Sequence, residues 1–303
     1  MDAFSYRLLS HIKRVYEATC GAAQYELDDS GADAGARQFY VRNLADNLIR
    51  PMQDRHRAEF SHGSGRELED KMRALRSSSA MTFNILGNEC FTVRASTESR
   101  TDTLPPGSYR VSYEFQIPAL RRGLPANLDA LLDDGEGHVV ACEFKYLEWV
   151  LGTPGSLRSA YFDHEKYRHA RVAEVFVPAA KRLASQGFKR LDYAQLFKHA
   201  LALCNACAER RLPLARTLTL LNAIWEPPSK SEVLSNDEIL QLESTRNAER
   251  REFAKFSEEL APIHVLFEEL GVQFSVAYLP VSKLIFAGSY PALERELLNR
   301  YVS

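Results

Sequence analysis

The chain has 303 residues, 45% of them hydrophobic and 26% charged, which are proportions of a globular protein with a sizeable core. Its formal net charge of −2 argues against a protein that coats nucleic acid, although it does not exclude an enzyme with a local basic cleft. No apolar run reaches ~18 residues and the first residues lack the apolar core of a signal peptide, so we expect a cytoplasmic protein without a membrane span.

The N-terminal part of the chain has mostly helical periodicity. Helices are predicted over 4–20, 36–50 and 64–76, the last with Ser64 as its N-cap and with its acids before its bases. The segment 77–88, which begins with three serines, breaks this pattern. The strand candidates follow this segment.

Three strand candidates occupy the centre of the chain. Residues 109–117 alternate in polarity, and the apolar runs 127–132 and 138–149 are separated by a Gly/Asp-rich turn at 133–137. This turn predicts a hairpin, so we expect the three strands to form a meander.

Helices and strands alternate in the rest of the chain. In chain order we predict helices over 162–186 and 190–211, a strand over 217–227, a charged helix over 235–260, a strand over 272–281 and a last helix over 291–302. This order indicates an α/β protein whose mixed sheet is covered by helices on both faces.

No convincing linker interrupts the pattern, so we expect a single domain over 1–303. Its core would span about 64–281. The N-terminal helices within 1–63 and the C-terminal helix over 291–302 would be additions to this core.

The predicted hairpin contains charge where a buried strand should have none. Glu143 and Lys145 lie two residues apart in the strand HVVACEFKY and therefore share one face. The turn at 133–137 brings Asp129 of the preceding strand beside Glu143. Because burying such groups is costly unless they are paired or used, this cluster is either a functional site or a structural ion pair with Lys145 extended towards solvent.

A metal site is the functional interpretation of the cluster. A divalent cation relieves the repulsion between two adjacent carboxylates, and two acids with a backbone oxygen and water suit Mg²⁺. A neighbouring ammonium can then orient or help deprotonate an attacking water and offset charge on a phosphate. The residue types therefore point to phosphodiester hydrolysis.

Asp129 followed by Glu143-Phe144-Lys145 on the next strand resembles the PD-(D/E)xK nuclease superfamily, which has the restriction-endonuclease-like fold. The resemblance is clearest over about 105–225. It implies an α/β/α core with a three-strand meander plus a further strand, and N- and C-terminal helical additions. It also implies that Asp129 and Glu143 bind Mg²⁺, for which Mn²⁺ can substitute, and that Lys145 is catalytic. The motif has its proline directly before the aspartate, whereas Pro125 lies four residues before Asp129, which is a small departure.

The run CEFKYLEW resembles more closely a group of uncharacterised bacterial restriction-endonuclease-like proteins. In that pattern a serine-rich segment and an asparagine precede the core, here Ser77–Ser79 and Asn84, and a later helix carries a glutamine, here Gln195. By this resemblance Gln195 contacts the attacking water or the scissile phosphate. The serines and Asn84 either hydrogen-bond a phosphate or cap helices, and capping is the default role.

Three further polar residues accompany these candidates. Glu114 is either a third metal-binding carboxylate or an acid paired with a base such as Arg110. Glu148 would shape the site or pair with a base rather than bind metal. His199 shares a helix face with Gln195 and is either part of the site or an ordinary polar residue of that face.

Two basic segments are candidate contacts for a phosphate backbone. Lys166, Arg168 and Arg171 lie in a run that also contains tyrosines, and a solvated helix face is the equal alternative for them. Arg121 and Arg122 precede Asp129 in a turn.

We therefore expect a Mg²⁺-dependent DNA endonuclease of restriction or genome-defence type. The resemblance allows a homodimer and a methyltransferase or helicase as partner. Two alternatives stay open: a catalytically silent protein with the same fold that binds nucleic acid or a partner, and a structural domain that binds no metal.

Overall fold

A computed structural model describes residues 2–20, 38–63, 67–88, 90–94, 104–212, 215–227 and 229–302. Within these ranges one sheet contains the strands β1 (Cys90–Val93), β2 (Gly107–Ile117), β3 (Ala126–Asp133), β4 (His138–Lys145), β5 (Thr217–Ile224) and β6 (Gln273–Pro280). The α-helices of the same ranges are α1 (Ala3–Cys20), α2 (Asp54–His62), α3 (Ser78–Leu86), α4 (Glu148–Leu151), α5 (Ala170–Ser185), α6 (Tyr193–Ala208), α7 (Asn236–Glu259), α8 (Ala261–Glu269), α9 (Val281–Ala287) and α10 (Glu294–Tyr301). None of these helices is long and apolar enough to span a bilayer.

The strands follow one another across the sheet in chain order. β1 to β4 form an antiparallel meander, whereas β4, β5 and β6 are parallel. Parallel neighbours require long crossovers, and here the crossovers consist of α5 with α6 and of α7 with α8. The first crossover therefore carries α6 back over the sheet close to β4.

The sheet has a hydrophobic core on each face. On one face Val140, Cys142 and Phe144 of β4 belong to a core that includes residues of α1, α3, α9 and α10. On the other face Val139 and Ala141 pack with α5, α6 and α8. The predicted mixed α/β architecture, with helices on both faces of the sheet, is confirmed.

Two predicted N-terminal helices are wrong in the part of the chain that the structure describes. The helix over 4–20 is present as α1, but residues 38–50 and 67–76 contain only short 3₁₀ turns, at Leu44–Asn47 and Lys71–Arg73. These segments pair with each other instead, since Val41 N donates to Arg73 O and Leu75 N to Phe39 O. Residues 36–37 and 64–66 of the predictions, including the Ser64 cap, lie outside the described residues.

The segment 77–88 was predicted to interrupt the helices, and this prediction is wrong. It contains α3, whose N-terminus is capped by the Ser77 side chain. Almost every residue of α3 is buried, so the helix has no polar face and leaves no amphipathic period in the sequence.

Several element boundaries also differ from the predictions. β4 ends at Lys145 instead of residue 149, and the predicted helices over 162–186, 190–211 and 291–302 begin later, at the starts of α5, α6 and α10. The structure adds β1, α2, α4, α8 and α9, so the meander has four strands where three were predicted. β1 is only four residues long, and so short a strand has little periodicity to detect.

A buried asparagine network joins the N-terminal segment to the C-terminal helix. Asn84 of α3 accepts a hydrogen bond from Ile49 N at 2.8 Å and donates to Asn47 O at 3.0 Å and to the Tyr301 hydroxyl at 2.8 Å. Asn47 in turn donates to the carbonyls of Met72 and Ala74. Of the two roles considered for Asn84, neither capping nor phosphate contact matches its buried position.

Replacement Asn84→Ala should lower the free energy of unfolding by about 2 to 4 kcal/mol, because it leaves buried backbone and hydroxyl groups without partners. Urea denaturation measures this change. Asn299→Ala, at an exposed position of α10, is the matched control and should change stability by less than about 0.5 kcal/mol. Equal stability of the Asn84 and Asn299 variants would contradict the role of the network.

Candidate active site

Three carboxylates form a row across the middle of the sheet. The β2–β3 register places Glu114 opposite Asp129, and one further step of the β3–β4 register places Asp129 opposite Glu143. Neither pair belongs to the hydrogen-bonded pairing of the strands, so the regular pairing is interrupted at the acids. In place of a ladder bond, Phe144 N donates to Asp129 Oδ2 at 2.7 Å.

The backbone of Glu114 causes the first break in the ladder. Its φ of +48° lies in the left-handed region, which is uncommon for a residue other than glycine. Its carboxylate accepts a hydrogen bond from the Asn127 amide and is almost fully buried. Burial, followed by the charges of Glu67 and Glu143, raises the pKa of Glu114 to about 7.

Glu143 is the most densely contacted of the three acids. Its Oε1 lies 2.7 Å from Lys145 Nζ, and its Oε2 lies 2.9 Å from His199 Nε2. Lys145 Nζ also donates to Gln195 Oε1 at 2.6 Å. Glu143 and His199 are buried, whereas the Lys145 side chain retains 15% of its exposure. The fixed carboxylate thus holds an ammonium at the surface of the sheet.

Helix α6 supplies the polar groups that face Glu143. Gln195 and His199 are four residues apart and therefore share one face of the helix. The Asp192 side chain caps α6 by accepting a hydrogen bond from Gln195 N at 3.2 Å. The start of the helix is therefore fixed beside Lys145.

The electrostatics of the cluster follow from burial and from the spacing of like and unlike charges. Burial, and then the charges of Glu143 and Glu114, raise the pKa of Asp129 well above its usual value. Burial disfavours the ionised Glu143 as well, but Lys145 and His199 outweigh it and hold the pKa of this carboxyl below its usual value. Burial lowers the pKa of Lys145, yet Glu143, Glu148 and Asp129 together raise it above its usual value. Lys145 is therefore an ammonium at neutral pH.

The cluster lies in a cleft of about 780 Å³. Asp129, Glu143, Lys145 and Gln195 line it together, as do the serines at the start of α3. Five cationic side chains also line this cleft: Lys71, Arg76, Arg122, Arg158 and Lys198. The cleft thus combines acidic groups with a cationic border, which is defined here as those five residues.

The predicted basic residues divide between the cleft and the outer surface. Arg122 lines the cleft, whereas Arg121 donates to Tyr167 O at 2.6 Å. Arg168 pairs with Glu209 at 2.6 Å and Arg171 with Glu269 at 2.5 Å. Lys166 is exposed, 3.9 Å from Asp163. None of these four outer residues is among the residues that line the cleft.

Several cleft residues were given no firm role by the sequence. His199 could have been identified from its spacing to Gln195, but the partner that gives it a role is Glu143, which lies 56 residues away in the chain. Arg158 and Lys198 occupy a predicted loop and a predicted helix without a motif around them. Glu148 lines the cleft after β4 has ended, and its side chain accepts a hydrogen bond from Tyr146 N.

The acids fit a small divalent cation in number and chemistry. In the described ranges no group of three or more His, Cys, Asp or Glu is arranged to hold a metal ion. Mg²⁺, however, is usually held by one or two carboxylates with waters, and carboxylate oxygens that accept hydrogen bonds retain lone pairs for a cation. Burial first, and then the charge of Glu143, raises the pKa of Asp129, and a cation beside the two carboxylates would favour the ionised form.

Comparison with known proteins identifies the family. The model of the family described as restriction endonuclease associating with ARP matches residues 11–232, which include all the candidate site residues. Curated proteins and solved structures gave no significant match. Because the match spans more than half of the chain, it confirms the expected restriction-endonuclease relationship. The chain belongs to the family of restriction endonucleases associating with ARP.

Proposed function

We propose that the protein is an endonuclease that hydrolyses phosphodiester bonds of DNA with a divalent cation, Mg²⁺ or Mn²⁺. The observation that carries this proposal is the convergence of Asp129, Glu143 and Lys145 in one cleft with a cationic border. The family description supports a nuclease-related role. The proposed restriction-endonuclease-like core consists of the meander, α5, α6 and β5.

In this proposal the protein side chains position the reactants. Asp129 and Glu143 would hold the cation, and Glu114, which accepts a hydrogen bond from Asn127, stands behind them as the third candidate carboxylate. When bound, the cation polarises a phosphate oxygen and lowers the pKa of a water molecule. His199 keeps Glu143 in its orientation through the 2.9 Å contact.

Lys145 and Gln195 act on the water and the phosphate. The Lys145 ammonium is held by Glu143 and Gln195, so it can donate to the attacking water and offset negative charge that develops on the phosphate. Gln195 accepts from Lys145 through Oε1, which leaves its amide N–H groups to donate to the substrate. Hydrolysis by this route leaves a 5′-phosphate, as the resemblance implies.

The cationic border supplies the contacts to the DNA backbone. Arg122 and Arg158 make no ion pair with any described residue, so both are available to phosphates, whereas Arg168 and Arg171 are occupied by glutamates. The family description also names association with ARP, and we propose such a partner for this chain. A homodimer, a methyltransferase or helicase partner and a cytoplasmic location remain predictions.

Lys145→Ala should reduce Mg²⁺-dependent cleavage of plasmid DNA by roughly 10²- to 10⁴-fold, because the group that orients the water and offsets charge is lost. Nicking assays with and without EDTA measure the effect. Lys189→Ala, at an exposed position outside the cleft, is the control and should cleave at the wild-type rate.

Circular dichroism checks that the Lys145→Ala fold is intact, and Lys145→Gln, which retains a donor, replaces it if it is not. Wild-type nicking by a folded Lys145 variant would contradict the mechanism. A wild-type protein that cuts with neither Mg²⁺ nor Mn²⁺, with or without its partner, would support the catalytically silent alternative.

Divalent-ion binding to the wild type should depend on Asp129. Asp129→Asn should weaken Mg²⁺ or Mn²⁺ binding at least tenfold in isothermal titration, because the neutral amide removes one of the two anionic ligands. Asp237→Asn, at an exposed position of α7, should bind as the wild type does. Absence of ion binding in the wild type and in Asp129→Asn alike would support a structural domain that binds no metal.

Arg122→Ala and Arg158→Ala should each weaken DNA binding whatever the DNA sequence. Each should also make the fall of log K with log salt less steep, by about one unit of slope. Fluorescence anisotropy in EDTA measures binding without cleavage. Arg171→Ala should leave the slope unchanged, because this side chain is paired with Glu269. The reverse result would place the DNA on the basic segment at residues 166–171.

A further inference from the structure

A second, smaller cavity of about 230 Å³ adjoins the cleft. Lys145, Glu148 and Asp192 line both spaces. The walls of the smaller cavity, which we call the side pocket, are mostly apolar and consist of Trp149, Gly152, Thr153, Pro154, Leu191 and Leu196, with Arg190 beside them. Its remaining lining residues are Asn222 and Glu249. A group that enters the side pocket therefore lies next to the catalytic lysine.

Asn222 and Glu249 continue the polar row of the sheet beyond Glu143. The β4–β5 register pairs Glu143 with Asn222, and Asn222 Nδ2 donates to Oε1 of Glu249 on α7 at 3.3 Å. Only 2% of Asn222 and 1% of Glu249 is exposed. Both are thus buried polar side chains in a mostly apolar pocket.

Each of these two side chains presents an unused acceptor. Asn222 Oδ1 and Glu249 Oε2 make no hydrogen bond with any described residue. The hydroxyl of Tyr278 faces the Glu249 carboxylate as a neighbouring donor, and burial, followed by the Glu249 charge, raises the pKa of Tyr278. A buried acceptor without a donor costs free energy, so Asn222 Oδ1, beside the Glu249 carboxylate, indicates a ligand that brings an N–H group.

The size and walls of the side pocket narrow the ligand class. At ~30 Å³ per water molecule, 230 Å³ corresponds to roughly eight waters, and so to a ring system of about eight to ten heavy atoms. The apolar walls suit the faces of such a ring. Acceptors at the end of the pocket suit an amino group on the ring edge.

We propose that the side pocket receives a nucleobase with an exocyclic amino group, taken from a nucleotide beside the scissile phosphate. This inference rests on the proposed function only in placing the base next to the cut. Extruding a base from a stack costs a few kcal/mol, which the pocket contacts must offset. The acceptors select adenine, cytosine or guanine over bases that present a carbonyl oxygen at that edge.

Replacement Glu249→Gln tests whether an acceptor at this position selects the amino group, and it does not change the shape of the side chain. If the glutamine oxygen accepts from Asn222, its amide N–H group takes the place of Oε2 and a donor faces the pocket. The preference should then shift from an amino group to a carbonyl oxygen. Because burial raises the pKa of Glu249 to about 7, the test is made at pH 8, where the wild-type group is mainly the acceptor carboxylate.

The experiment titrates full-length protein in EDTA with adenosine and inosine. These nucleosides differ at C6, which carries an amino group in adenosine and a carbonyl oxygen in inosine, and at N1, which carries a hydrogen only in inosine. Trp225→Phe leaves Trp149 as the only tryptophan, and its fluorescence reports binding in the pocket. We expect adenosine to bind about tenfold more tightly than inosine, Glu249→Gln to remove or reverse this ratio, and Glu258→Gln, at an exposed position of α7, to retain it.

Equal binding of the two nucleosides, no saturable binding of either, or an unchanged ratio in Glu249→Gln would overturn the inference. So would a loss of one bound Mn²⁺ in Glu249→Gln, since it would make the pocket a cation site. DNA cleavage is measured in parallel on the same variants. A protein that cuts DNA but binds no nucleoside loses only the pocket assignment, whereas one that discriminates nucleosides but cuts no DNA loses only the nuclease proposal.

Discussion

The candidate site depends on a buried carboxylate, Glu143, held between an ammonium and an imidazole. A charge in the centre of a sheet is tolerated only when its oxygens are hydrogen-bonded, and here Lys145 and His199 each contact one oxygen. Removing either partner would leave the charge under-compensated in a low-dielectric position. The same contacts fix the lysine ammonium at the open side of the sheet, so the interaction that makes the burial tolerable also presents the group that we propose to be catalytic.

The geometry around Glu143 is a consequence of the change from antiparallel to parallel pairing at β4. The hairpin before β4 brings Asp129 beside Glu143, and the parallel crossover after β4 returns α6 to the same place. The strand ladders open at the acids because Glu114 has a left-handed backbone and Asp129 takes Phe144 N as a side-chain partner. Two connections of opposite type thus converge on one short stretch of strand.

The polar row that starts at Glu114 does not stop at the proposed metal site. Through Glu143 it reaches Asn222 on the next strand, and α7 adds Glu249 behind it. The cleft and the side pocket are therefore two openings along one polar line, separated by Lys145, Glu148 and Asp192. On this view the phosphate and the base of one nucleotide would be held on opposite sides of the same lysine.

The sequence alone determined the parts that depend on local pattern. The hairpin turn at 133–137, the alternation of β2 and the apolar run of β4 predicted the strands, and the register of a hairpin placed Asp129 near Glu143. α7 was predicted with nearly its observed bounds, because its capping residue and long charged face are local signals. The pairing of Glu143 with Lys145 followed from the two-residue period of a strand.

Only the tertiary structure decided which distant groups meet these residues. His199, Asn222 and Arg158 lie on elements joined by long crossovers or loops, and no local period encodes where such elements pack. The buried helix α3 and the paired segments at 38–50 and 67–76 were mispredicted for the same reason, because their partners come from elsewhere in the chain. Periodicity reports the environment of a residue along its own element, whereas the composition of a cleft depends on contacts between elements.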